Sequence, residues 1–155
     1  MMRVKKYITI IEEKDIEILG ATLLTVDEAR KLLDKEDRKY TINWWLRSPG
    51  KYTGNIVYIG MSGNVYESGV SPTVAHAVRP ALRIKRNFHF DIGDVFEFDG
   101  RKFKVISEDL AWMADGDLGC LQFNEDWRAP NANIYECSKV KTFVDEWFDM
   151  AKRRN

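Results

Sequence analysis

The sequence predicts an α+β fold, and three observations carry that reading. Short runs rich in β-branched and aromatic residues recur along the chain, separated by Gly, Pro, Asn and Asp. Two segments, one near each end, repeat apolar residues at helical rather than strand spacing. The length of 155 residues, 45% hydrophobic and 31% charged, suits one domain spanning 1–155 with a full core. Its first half is residues 1–87 and its second 88–155, packed as one unit.

Residues 7–11 and the alternating Ile16-Glu17-Ile18-Leu19 read as short strands around an acidic turn at 12–15. Thr25 and Glu28 form a capping box, and Ala29, Leu32 and Leu33 share a face, so a helix is expected over about 25–34. The polar run 35–39 reads as a solvated loop. Residues 40–47 have strand composition, and Ser48-Pro49-Gly50 stops them with a fixed φ followed by a permissive glycine. Residues 55–59 and Val65-Tyr66 flank a Gly63-Asn64 hairpin turn. Residues 75–84 read as one further strand, with Pro80 at an edge or bulge.

In the second half, Phe88-His89-Phe90 alternates. Residues 95–98 and 102–106 around Asp99-Gly100 make the clearest hairpin, because Asp-Gly tolerates positive φ. Residues 110–113 and 118–123 read as two more strands around Asp115-Gly116, and 126–133 as irregular. Ser138 caps a last helix over about 138–151, with Val140, Phe143, Val144, Trp147 and Ala151 facing inward and Lys152, Arg153 and Arg154 at its negative end.

Composition excludes several classes. No apolar run approaches the roughly 18 residues that span a bilayer, so no membrane is expected. The acidic residues at 12, 13 and 15 break the pattern of a secretory signal. Cys120 and Cys137 have neither disulfide-framework nor metal spacing, so a reduced, cytoplasmic setting in a bacterial host cell is expected. Net charge is zero, which argues against direct nucleic acid binding. Residues 1–90 nevertheless carry 15 basic against 10 acidic residues, and 91–155 carry 9 against 14. Either the halves attract each other within one fold, or the second presents an acidic face to a basic partner.

Two segments stand out: Trp44-Trp45-Leu46-Arg47-Ser48-Pro49-Gly50 and Val78-Arg79-Pro80-Ala81-Leu82. With the glycine-turn hairpin between them, they resemble an uncharacterised domain-of-unknown-function family of Gram-positive gut bacteria and their phages. That pattern is similar to the end of C-type-lectin-like domains of the formylglycine-generating-enzyme kind, where a Trp-containing strand, a Gly turn and an Arg-containing strand pack as one unit. Residues 92–106, and Tyr135-Glu136-Cys137-Ser138-Lys139-Val140, resemble segments that open such domains, so the segment order here looks permuted. The resemblance implies a C-type-lectin-like fold and a phage or prophage habitat; it supplies no catalytic residue.

Arg47 and Arg79 are the principal candidate binding residues. A guanidinium beside tryptophan either grips a carboxylate or phosphate or stacks on a ring, or else it caps internal carbonyls while its stem packs on the indole. Tyr52 and Tyr66 extend the candidate surface. Asp115, Asp117, Glu125 and Asp126 could gather around calcium, although their spacing does not fit the calcium-loop pattern, and solvated acidic loops are the simpler reading. His76 and His89 lack partners at ligand or triad spacing and read as structural. No catalytic residue, metal or cofactor is assigned. The expected function is a non-enzymatic binding domain engaging another protein, an accessory protein of a phage or prophage. Alternatives are an inhibitor of a host defence nuclease, a thiol- or metal-dependent oxidase of the formylglycine-generating kind, and a structural or assembly component; the oligomeric state is not predicted.

Overall fold

A computed structural model describes residues 16–86 and 91–154. The strands expected at 7–11 and 88–90 fall outside those residues. The chain forms a mixed α+β domain from ten strands, β1 (Ile16–Thr22), β2 (Trp44–Pro49), β3 (Ile56–Ile59), β4 (Val65–Val70), β5 (Ala75–Ala77), β6 (Ala81–Arg86), β7 (Val95–Phe98), β8 (Arg101–Val105), β9 (Leu110–Met113) and β10 (Cys120–Gln122), with helices α1 (Val26–Leu32), α2 (Lys35–Arg38) and α3 (Lys139–Arg154). One sheet has the order β1-β6-β9-β8-β7 and the other β10-β5-β2-β3-β4. All neighbours are antiparallel except β2 and β5, which run parallel through Trp44 and Ala77.

Both sheets draw strands from both halves of the chain. β6 lies between β1 and β9, and β5 lies between β2 and β10. The halves therefore interlock through backbone pairing more than through charge. The Lys104–Asp37 ion pair at 3.3 Å crosses between them in the sense opposite to the charge bias.

Local chemistry explains most elements. Thr25 caps α1 in a complete capping box with Glu28, and Ala29 and Leu33 turn inward. Asp99 and Gly100 take φ of 55° and 68°, the pair of left-handed residues that turns β7 into β8 without splaying the strands. The hydroxyl of Ser138 accepts from the Lys141 amide at 2.9 Å and starts α3. Val140, Val144 and Ala151 on α3 are buried, with Phe143, Trp147 and Phe148 packed beside them on the inner face of the β1-containing sheet. Each such side chain contributes about 1.5–3 kcal/mol of burial.

Three expectations need correction. Residues 35–39 are not a loop: Asp34 accepts from the Asp37 amide at 2.8 Å and caps α2. The Arg38 guanidinium then ties α2 to the carbonyls of Gly63 and Leu33 at 2.9 and 3.1 Å. The single strand expected at 75–84 is two, β5 and β6, in different sheets. Pro80 lies between them, where no ladder needs its missing N–H, so it marks a change of sheet rather than an edge or a bulge. The two strands expected around Asp115-Gly116 do form, β9 in one sheet and β10 in the other. The first helix stops at Leu32 and the last continues to Arg154, one shorter and one longer than periodicity implied.

Two apolar clusters result. One joins α3 to the β1-containing sheet and takes in Trp45, Phe123 and Tyr135. The other packs α1 against Trp44, Leu46, Ile59 and Trp112. Trp44 and Trp45 point to opposite faces of β2 and are both fully buried. Their indole N–H groups donate to the carbonyls of Arg38 at 3.0 Å and Leu121 at 2.8 Å.

Candidate functional site

The two prominent arginines end in opposite environments. Arg79 sits where the chain passes from β5 to β6, and is 2% exposed. Its guanidinium carbon lies 4.1 Å from the Tyr40 ring centre, 4.5 Å from Trp112 and 5.0 Å from Trp44. Nε donates to the Gly116 carbonyl at 3.1 Å, and Nη2 to Met113 at 3.2 Å and Ala114 at 3.4 Å, while Nη1 has no partner. Burial pulls its pKa down to about 10, against the opposing influence of Tyr40, Asp117 and Asp115. Arg79 is thus inside the protein, capping carbonyls within an aromatic cage, and does not line an open surface.

Tyr40 closes that cage. Its hydroxyl donates to the Asp117 carboxylate, and burial, reinforced by that hydrogen bond, pushes its pKa up to about 12. Asp117 also accepts from the Gly119 amide at 2.6 Å. It is therefore a half-buried anchor for the loop between β9 and β10.

Arg47 lies in the irregular stretch of β2 between Trp45 and Pro49, where pairing with β3 shifts register; such breaks re-aim a side chain. Among the described residues its side chain makes no hydrogen bond or ion pair, and its enclosed Nε has no partner. The hydroxyl of Tyr135, a residue only 5% exposed, is also enclosed and has the Thr22 hydroxyl as a neighbour. Thr22 stands beside that hydroxyl but directs its own to the Leu23 carbonyl at 3.3 Å. Burial pushes the Tyr135 phenol up to about 12, with Thr22 and Arg47 acting against it and Asp145 and Glu136 with it. Tyr135, Thr22 and Asp145 carried no functional signal in the sequence. They come together because the end of β1, the turn before α3 and α3 itself pack on one another.

A row of aromatic rings runs along the same face of β2 and β3. Tyr66 stacks on Tyr58 at 4.9 Å, Tyr58 approaches His76 at 4.7 Å, and His76 lies 4.5 Å from Trp45, which contacts Phe123 edge-on at 5.4 Å. His76 is buried and its Nε2 has no partner. Burial lowers its pKa below the ordinary 6.5. The unfolded chain therefore binds a proton more readily than the folded one, so the stability His76 confers is complete above about pH 6.5 and falls as the pH drops below it. Denaturant midpoints measured at pH 7.5 and 5 should fall for the wild type and fall less for His76→Gln. Equal slopes would show that the site tolerates the charge.

At the outer end of the row, Tyr66 is 43% exposed, and Tyr52, on the loop between β2 and β3, is 67% exposed. Lys51, Val65, Tyr66, Glu67, Ser68 and Gly69 line an open cleft of about 340 Å³ along the edge strand β4. Glu67 is held between Arg30 and Lys51, and those hydrogen bonds pull its pKa down to about 2.

The remaining candidates are dispersed. Asp115 is exposed, Glu125 pairs with Lys139 at 2.9 Å, and Asp126 accepts from the Arg128 amide at 2.9 Å. Among the described residues no three His, Cys, Asp or Glu side chains gather as metal ligands. Cys120 and Cys137 are free and exposed. No helix among the described residues is long and apolar enough to cross a membrane.

Residues 12–86 match a family model described as a domain of unknown function, DUF6273. The matched segment ends with β6 and includes Arg47, Arg79 and the β4 cleft, but not Trp112 or Tyr135. Neither the curated proteins nor the solved structures contain a match to the chain.

Proposed function

We propose that the chain is a non-enzymatic binding domain that engages another protein along β4. The observation that carries this reading is the open cleft beside β4 and the exposed tyrosines bordering it. β4 is the last strand of its sheet, so an extended peptide can add to it through backbone hydrogen bonds while side chains settle in the cleft. Tyr52 and Tyr66 supply large, amphipathic contact area, a composition typical of interface cores. The paired charges of Arg30, Glu67 and Lys51 keep this edge from pairing indiscriminately.

A C-type-lectin-like ancestry and a phage or prophage accessory role belong to the same proposal. The ancestry is supported by Arg79 packing over Trp44, which brings the two prominent segments together, and the accessory role by the resemblance of those segments alone.

The test is affinity capture from bacterial lysate, with and without phage infection, using the wild type and a Tyr52→Ala, Tyr66→Ala double variant. Both residues are exposed, so the variant should remain folded. A partner retained by the wild type and lost at least tenfold with the variant is expected, since each interface tyrosine is worth about 1–2 kcal/mol or more. Equal recovery by both proteins, or none by either, would refute the assignment to β4.

A further inference from the structure

We propose that His76 is a proton-sensitive gate on the β4 cleft, acting through Tyr58 to release Tyr66 from the cleft wall when it takes up a proton. The proposal rests on the reading of β4 as the binding edge and adds its regulation. Ring contacts join the two ends of the device. His76 on β5 lies 4.5 Å from Trp45 of β2 and 4.7 Å from Tyr58 of β3. Tyr58 and Tyr66 are cross-strand partners on β3 and β4, with rings 4.9 Å apart and 9° from parallel. Tyr66 in turn lines the cleft. One ring thus separates a buried imidazole from the binding edge.

The surroundings of His76 do not suit a charge. The groups packed about it are Trp45 from β2, Tyr58 from β3 and, as its register partner on β10, Leu121. Of these only Tyr58 titrates, and burial, with Tyr66 beside it, raises its pKa, so it remains a neutral phenol in acid. No carboxylate or cation among the described residues bears on the imidazole, and the Ala75 backbone only partly offsets the effect of burial. A proton is therefore accepted most readily where the imidazole meets water. Trp45 is the wall that holds: it is fully buried, donates its indole N–H to the Leu121 carbonyl at 2.8 Å and meets Phe123 edge-on. Tyr58 is half-buried and Tyr66 43% exposed. They are held by stacking on each other and by contact of the Tyr66 ring with Gly60, where an added Cβ would come within 2.5 Å of that ring. That pair is the wall that moves. Between pH 6.5, the ordinary imidazole value, and the lower value of the stacked form, each pH unit of acidification favours the unstacked form by up to about tenfold.

The test uses the full chain alone, so the gate can fail while the β4 reading stands, and capture at β4 can fail while the rings still respond. Ring-labelled tyrosine and histidine are followed by nuclear magnetic resonance from pH 7.5 to 5, with Tyr66→Phe and His76→Gln providing assignments. A Tyr58–Tyr66 ring-to-ring cross-peak is expected at pH 7.5. It should be lost along the His76 titration, with the same midpoint, while the exposed Tyr52 ring keeps its shift. In His76→Gln the cross-peak should persist to pH 5. If that variant is unfolded by circular dichroism, Tyr58→Leu serves in its place: His76 still titrates and the Tyr66 shift no longer follows it. Four outcomes would overturn the proposal. They are an intact cross-peak with His76 charged in place between the two ring faces, a Tyr66 response that survives either substitution, a His76 that stays neutral to pH 5 in the folded chain, and unfolding of the whole chain before His76 titrates.

Discussion

Residues 12–86 expressed alone should show no cooperative unfolding transition, whereas the full chain should show one. The segment matched by the family model supplies only β1 and β6 to one sheet and lacks β10 of the other. Without residues 91–154, β6 loses β9 on one side, and Leu82 and Ile84 lose the phenylalanine-rich face of β7 and β8 and the cover of α3. Trp44 loses Trp112, 5.8 Å away, and Arg79 loses all three of its carbonyl acceptors. A chain whose net stability is only about 5–15 kcal/mol cannot forfeit that much burial. Urea titration followed by tryptophan fluorescence, together with dye binding to exposed apolar surface, decides the matter. A sigmoidal transition in the fragment with a slope appropriate to its length would mean that it folds on its own.

Arg79→Ala is expected to destabilise the full chain by about 3–5 kcal/mol, as truncation of a buried charged group in a hydrogen-bonded network does. Two costs add. The carbonyls of Met113, Ala114 and Gly116 lose their donor, and the space between Tyr40, Trp44 and Trp112 is left as a cavity. At this length the midpoint should fall by about 10 °C. Arg79→Met separates the costs: it refills the cage and removes the penalty of burying a charge, so it should lose less than Arg79→Ala. Differential scanning calorimetry of the two variants checks the order. An Arg79→Ala protein within about 0.5 kcal/mol of wild type, the ordinary range of surface substitutions, would mean that the cage does not hold the fold.

The contrast between Arg79 and Arg47 shows how far sequence reasoning reaches. Both arginines lie beside apolar strand residues and next to a proline-containing turn, and nothing local distinguishes them. The fate of Arg79 is set by residues distant in the chain, 113–116, and Arg47 meets no such set of acceptors among the described residues. Tyr52 and Tyr66 were legible as candidates because tyrosines near the two tryptophans can extend an aromatic surface, and Tyr66 lines the β4 cleft. Asp117 read as part of a solvated acidic loop, yet it is bonded to the half-buried Tyr40, whose place over Arg79 no local pattern signals.

What the sequence determined by itself is the set of features whose physics is local. The Thr25–Glu28 capping box, the Asp99-Gly100 turn and the apolar stripe of α3 each depend on residues within a turn or two of one another. α2 was hidden because its four residues have no buried side chain, so no apolar period announces it. Its cap and the Arg38 and Asp37 tethers accompany it instead. Only the tertiary structure decided that Pro80 separates two sheets, that each half of the chain completes the other's sheet, and that one prominent arginine is caged while the other stays half-buried on β2 with its Nε unpartnered. Those outcomes depend on long-range pairing, where many registers satisfy the same local pattern and packing selects among them.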